Sequence, residues 1–238
     1  MNAVSKHRAH GKVISVQDEQ PKSDGLIVLK NALFNKKLGG FPKRSMRIKK
    51  GPHKGMPLFS LTLEERATCN TECQQWSNCY GDKMRYAKRY DTDGIEDVID
   101  HDLEVLFSRY PQVSIRLHIL GDFFSVQYVE YWEEKINQYS GLYVWGFTHW
   151  PWETEIGRSI VLVSVCFPKQ FAISISDFDS QDYCWSTGRP IVLPRAVVVD
   201  HWNTDTGVAC LNQVDDRGCV DCGICMSPSH NTVQFLRH

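Results

Sequence analysis

No stretch of this chain comes near the roughly eighteen apolar residues that a membrane-spanning helix needs. The longest apolar run, Ile160 to Phe167, is interrupted by Ser164. The opening residues MNAVSKHRAHGK hold no apolar stretch, which argues against a secretory leader and for a cytoplasmic protein. G-x-S-x-G, a Walker-type loop and G-x-G-x-x-G are all missing, so no hydrolase or nucleotide-binding template is met. There is no internal repeat and no low-complexity segment. The basic stretch from Lys36 to Gly55 lacks interleaved aromatics, which suits phosphate contact better than base reading.

Net charge is also nearly absent, but it is unevenly spread. Up to Met56, 13 Lys/Arg stand against 3 Asp/Glu, a net +10; the 14 and 25 that remain give −11. Such a basic arm either engages nucleic acid or folds back onto its own acidic body. At 238 residues, 42% of them hydrophobic, the chain can bury a core without disulfides. Its nine cysteines are therefore expected to be reduced thiols, and clustered thiols in that state point to metal or catalysis.

Residues 1–56 read as a basic, irregular arm with one apolar run, LIVLKNALF (26–34). From Pro57 on, strand and helix patterns alternate. LFSLTL (58–63), VSIRLHIL (113–120), LYVWGFT (142–148), FAISIS (171–176) and PIVLPRAVVV (190–199) read as strands. Helical spacing covers 84–110, with a break near 91–94, and also 126–139 and 153–163. The alternation predicts an α/β fold with mostly parallel strands. The order suggests an open, partial α/β barrel over 57–205, too short for a complete eightfold one, followed by a cysteine-rich segment over 206–238.

Ligands of such folds sit at the carboxyl ends of the strands. That rule selects Asp122 after VSIRLHIL, His149 and Trp150 after LYVWGFT, and Ser174 with Ser176 at the end of FAISIS. Trp150 would stack on a ligand or close the barrel. His118, on an apolar strand, reads as a core or pocket histidine, which alternation places on one face with Arg116 and Leu120. Asp177, Asp179 and Asp182 read as a solvated acidic loop.

Two cysteine groups carry the chemistry. Cys210 is followed by Cys219-x2-Cys222-x2-Cys225, three thiols within seven residues and a fourth nearby. That crowding suits a [4Fe–4S] cubane, whereas zinc more often joins two separated C-x2-C knuckles. Gly218 and Gly223 supply the backbone freedom for the wrap. Cys69-x3-Cys73-x5-Cys79 directly follows a strand and is embedded in polar residues. Three thiols without a fourth suit a cluster with one open iron, one completed elsewhere by Cys166, Cys184 or a histidine, or a structural zinc. Cys166 and Cys184, in apolar or aromatic surroundings, read as core thiols.

The segments SLTLEERATCNTECQQWSNCYGDKM, IRLHILGDFFSVQYVEYW and CVDCGICMSPSHNTVQFLRH, in this order, resemble a phage-encoded family known as the gene product eighty-eight family. The likeness spans Phe59 to His238 and implies metal binding, in the cytoplasm of an infected cell. More distantly the layout resembles the radical S-adenosylmethionine superfamily, which implies a partial α/β barrel and a C-terminal auxiliary cluster. By that resemblance, Cys69, Cys73 and Cys79 would hold a cluster whose open iron chelates the methionyl group. Asp122 would meet its amino group, and Tyr80 would be the aromatic beside the last ligand. The second gap is five residues where the superfamily has two, and Leu120–Gly121–Asp122 replaces Gly-Gly-Glu.

The expectation is an iron–sulfur protein with one or two [4Fe–4S] clusters, and S-adenosylmethionine as the cofactor that the second resemblance implies. As an enzyme it would use Asp122 and His118, with Tyr80, His149, Trp150 and Ser174 around the cofactor, and draw on an electron-donor protein. The alternatives are a metal-braced binder of nucleic acid or a host protein, and a redox sensor. No oligomeric state is legible.

Overall fold

The computed structural model describes residues 13–16, 26–32, 38, 47–84, 86–176, 195–215, 217–226 and 232–236. In chain order they form β1 (Val13–Ile14), β2 (Lys30–Asn31), β3 (Leu58–Ser60), α1 (Glu65–Thr68), β4 (Arg89–Tyr90), α2 (Ile95–Arg109) and β5 (Val113–Arg116). Then come α3 (Val126–Gln138), β6 (Leu142–Thr148), α4 (Glu155–Cys166), β7 (Phe171–Ser176) and β8 (Arg195–Val199). β9 (Val208–Ala209), α5 (Leu211–Asp215), α6 (Cys219–Cys222) and β10 (Val233–Leu236) complete the described chain.

The principal sheet has eight strands in the order β2-β3-β5-β6-β7-β8-β10-β9. Every neighbouring pair is parallel except β2 with β3. This is the mixed α/β fold with mostly parallel strands that the alternating pattern predicts. β1 and β4 pair separately as a small parallel ribbon.

Helix placement follows from capping and periodicity. Ser125 caps α3 by accepting from the Tyr128 amide at 3.1 Å, and Thr154 caps α4 by accepting from Gly157 at 3.1 Å. Each helix then turns one apolar stripe inward: Ile95, Ile99, Leu103 and Leu106 of α2, Val129, Trp132 and Ile136 of α3, Ile160 and Val163 of α4. All three stripes enter one core with Phe59, Val113, Ile115, Leu142, Val144, Phe171 and Ile173. These sheet residues alternate along their strands, so α2, α3 and α4 cover the same face.

The opposite face carries Leu58, Trp145 and Ala172, and a second core forms there with Ala32, Leu38, Ile48, Met56, Val220 and Met226. Pieces of the N-terminal arm and of the cysteine segment are thus the lid of the sheet. Cores and sheet run continuously across residues 56 and 206. We call this second side the inner face.

Three local readings change. The helical pattern from Met84 begins only at Ile95; Arg89–Tyr90 is a strand paired with β1, and Arg89 donates to the carbonyls of Met84 and Ala87. Those contacts are invisible to a local periodicity. β5 ends at Arg116, because His118 takes a positive φ of 55° and breaks the alternation. Cys166, read as a core thiol, is exposed at the end of α4, where the chain turns toward β7. Cys184, the Asp177–Asp182 loop and most of the arm lie outside the described residues, and no helix among those described is long and apolar enough to cross a membrane.

One buried carboxylate secures the arm. Asp102 of α2 accepts from the amides of Ile27, Val28 and Leu29 at 3.3, 3.1 and 2.8 Å. Burial pushes its pKa up to about 6, against the pull of the three amides. Because the native group binds a proton more readily than the unfolded one, its contribution to stability falls as pH rises from about 4 to about 6. Asp102→Asn leaves an amide without an acceptor and is expected to cost about 1–3 kcal/mol in denaturant unfolding. The advantage of wild type over the variant should shrink as pH climbs through that window; a constant difference would exclude a titrating Asp102.

Candidate functional site

Cys69 directly follows α1 at the carboxyl end of β3, and its amide donates to Glu65 at 3.0 Å. Cys73 and Cys79 follow in a chain of tight turns, including two 3-10 turns at Trp76–Asn78 and Tyr80–Lys83. Two arginines fasten this loop. Arg66 donates to the Trp76 carbonyl and to both Asp82 oxygens, with its guanidinium 4.6 Å from the centre of the Trp76 ring. Arg89 is fully buried, pairs with both Glu65 oxygens at 2.7 and 3.0 Å, and donates to the Gly81 carbonyl.

Asp122 stands beside this loop, 1% exposed. Its amide donates to Thr68 Oγ1 at 3.1 Å; its carboxylate accepts from Phe123 and His149 amides, both at 2.8 Å. The contact needs Gly121: at φ 85°, a Cβ would lie 2.7 Å from Leu63 Cβ and from Thr68 Oγ1. Burial raises Asp122 to about 6, opposed by those amides and by Thr148. The nearby Asp122 charge, second only to burial, also raises the Cys69 thiol well above its usual range. The strand-end rule therefore brings Cys69, Asp122 and His149 together, and Asn70 extends the link by donating to the His149 carbonyl at 3.4 Å.

Other predicted residues scatter. His118 lies between Phe123 and Tyr128, 3.4 Å from the tyrosine hydroxyl, in the helix-side core. The predicted face shared with Arg116 is thereby corrected, since the positive φ turns the two apart. Burial holds its imidazole near 3, hence neutral. Trp150 packs on that same core and donates from Nε1 to the Phe123 carbonyl at 2.6 Å, closing the structure there. Ser174 is buried on the inner face, two residues beyond Ala172. The Tyr80 phenol is pushed up chiefly by burial, with Arg116 pulling the other way.

The second group gathers around one pocket, lined by Cys210, Cys219, Cys222 and Cys225 with Trp145 and Met226 among the other walls. α6 spans Cys219–Cys222 and is capped by Gly223 at φ 74°, where a Cβ would come within 2.5 Å of the Lys50 carbonyl. The arm clasps this turn: the Lys49 amide donates to Val220 at 2.7 Å and Lys49 Nζ lies 2.7 Å from Asp221. Here the basic arm folds back onto the body. Cys210 is set by β10, donating to Gln234 at 2.9 Å. Burial first, then the charges of Cys219 and Cys210, raise the Cys225 thiol well above its usual range, and Arg116 opposes them.

The two groups meet through the inner face. Met84 from the first loop and Cys219 and Cys225 from the second pack on the same core. Among the described residues no group of three or more His, Cys, Asp or Glu side chains has the geometry to hold a metal ion as it stands; the four C-terminal thiols share a cavity.

Sequence reading missed Glu65, Arg66 and Arg89, whose roles depend on partners up to 24 residues away. It named Arg116 only as a neighbour, although a charge inside an apolar strand was a legible signal. No family model matches the chain, and no curated protein or solved structure does either.

Breaking the Glu65–Arg89 pair tests how the first loop is held. Glu65→Gln leaves a buried guanidinium uncompensated, with an expected cost of about 3–5 kcal/mol and new proteolytic cuts within residues 70–87. A loss below about 1 kcal/mol, the worth of a surface pair, would mean the loop is held otherwise.

Proposed function

We propose that the chain is an iron–sulfur protein in which Cys210, Cys219, Cys222 and Cys225 hold one [4Fe–4S] cluster. The observation that carries this reading is four thiols, none of them in a disulfide, lining one pocket. The donor set fits: thiolates are the ligands such clusters take, and buried thiols pushed up by one another's charge are those a cationic core would ionise. Cysteines without a disulfide among the described residues also agree with a reducing compartment such as the cytoplasm.

Cys69, Cys73 and Cys79 would hold a second cluster with one open iron, beside Asp122. Strands β3, β5, β6, β7, β8 and β10 follow one another in spatial order, all parallel, with α2, α3 and α4 on one face. That arrangement supports an open α/β barrel, and the cysteine loop at its mouth supports a radical S-adenosylmethionine-like redox enzyme served by an electron-donor protein. When bound, such a cluster supplies an electron to a chelated cofactor.

The chain's own part is to bind and orient. With its pKa near 6, Asp122 is mostly ionised at neutral pH and can accept from an ammonium group. Thr68 and the His149 amide fix its direction. Tyr80 and Ser174 would stand beside the bound cofactor, whereas His118 and Trp150 act as packing. The phage family resemblance, and the more distant one to the radical S-adenosylmethionine superfamily, are part of this proposal, drawn from the cysteine-bearing and Asp122-bearing segments.

The test is anaerobic purification with iron, sulfide and zinc analysis. Two clusters predict about eight irons and eight sulfides per chain, with Cys73→Ala and Cys222→Ala each losing about four. Zinc without sulfide would sink the reading and promote a metal-braced binding protein. Loss of all iron from either variant would mean one shared site.

A further inference from the structure

Arg116 is buried to 5% exposure at the end of β5. Arginine stays protonated in any protein environment, so the charge cannot be shed as a buried lysine's can. Its Nε has no hydrogen-bond partner, and no carboxylate pairs with it among the described residues. The guanidinium rests 5.4 Å from the centre of the Trp145 ring and 5.6 Å from that of Phe147. Such cation–π contacts offset only part of the cost of removing a full charge from water. The other buried arginines on the page are treated differently: Arg89 has Glu65 and Arg66 has Asp82.

The surroundings are equally polar for a buried sheet face. Ser60 and Arg116 are neighbours in register, as are Arg116 and Trp145. Ser174 and Ser176, further along the same face on β7, are 3% and 7% exposed. Electrostatically Arg116 reaches both cysteine groups: its charge works against the burial that raises the Tyr80 phenol, beside Cys79, and the Cys225 thiol in the pocket wall.

We propose that Arg116 is the anchor for an anionic group, a carboxylate or a phosphate, of a small-molecule substrate held on the inner face between the two cysteine groups. The planar guanidinium offers a fork of donors to either oxyanion, and the Ser174 and Ser176 hydroxyls lie on the same face to complete its hydrogen bonds. This rests on the inner face being the reaction chamber of the proposed enzyme.

The experiment is calorimetric titration of the anaerobically purified full-length protein with inorganic phosphate and with succinate, with and without S-adenosylmethionine, and with iron and sulfide measured on the same samples. Saturable binding of one anion is expected with S-adenosylmethionine present. It should weaken about 10- to 100-fold in Arg116→Gln, the loss of one charge-assisted pair, and be partly restored in Arg116→Lys. Iron and sulfide should not change. Should Arg116→Gln fail to fold, Ser174→Ala is expected to weaken binding about 3- to 10-fold.

Several results would overturn the proposal: saturable binding of neither anion, affinity unchanged in Arg116→Gln or, where that variant does not fold, in Ser174→Ala, or displacement by S-adenosylmethionine, which would assign the anchor to the cofactor. Loss of iron from folded Arg116→Gln would assign the guanidinium to the charge of the cluster. Zinc in place of iron, with the anion still bound through Arg116, would sink the iron–sulfur reading and leave the anion site standing.

Discussion

A parallel sheet presents two faces, and α2, α3 and α4 all pack on the same one. Strands buried on only one side would leave Leu58, Trp145 and Ala172 in water, so the second face must be covered by other means. Residues from the arm and from the C-terminal segment do this, with Ile48 and Met56 on one side and Val220 and Met226 on the other. The cover is also what brings the chemistry in: Cys219 and Cys225 ride on the segment that buries Trp145. Fold closure and the candidate site are therefore one packing event.

Within that frame, buried polar groups are positioned by partners far away in sequence. Asp102 collects three amides of the arm, Glu65 and Arg89 cross-link α1 to the loop after Cys79, and Asp122 gathers amides from two strand ends. Each of these three carboxylates is answered by donors, as burial demands. Arg116 departs from this pattern, and it does so on the one face where both cysteine groups converge. A buried cation left without an anion is costly to the fold, which is the ground on which the anion site is proposed.

Legibility varied with the range of the interactions involved. α3, β6 and β7 could be read because their apolar spacing matches a helix stripe or a strand alternation, and because Ser125 caps within its own segment. β9 and β10 could not, since VA and VQFL are too short to show a pattern and become strands only by pairing beside β8. The turn at His118 was hidden for a similar reason: VSIRLHIL reads as a continuous strand, yet a positive φ sends His118 to the helix side. Cys166 looked like core because its neighbours are apolar, but it ends its helix at an exposed turn.

By itself the sequence determined the mixed α/β class and the local grouping of Cys69, Cys73 and Cys79 and of Cys219, Cys222 and Cys225. It also placed Asp122, His149 and Ser174 toward the carboxyl ends of their strands, where folds of this class hold ligands. These are properties of spacing, period and side-chain chemistry, which act over a few residues. Only the tertiary structure decided that Cys210, expected as the fourth thiol, shares a pocket wall with the other three, and that His118 packs on the helix side while Arg116 packs on the inner face. It alone showed that the arm and the cysteine segment share one surface of the sheet. Those outcomes depend on which distant strands pair and which face is left uncovered, and no local pattern in the chain encodes that balance of burial.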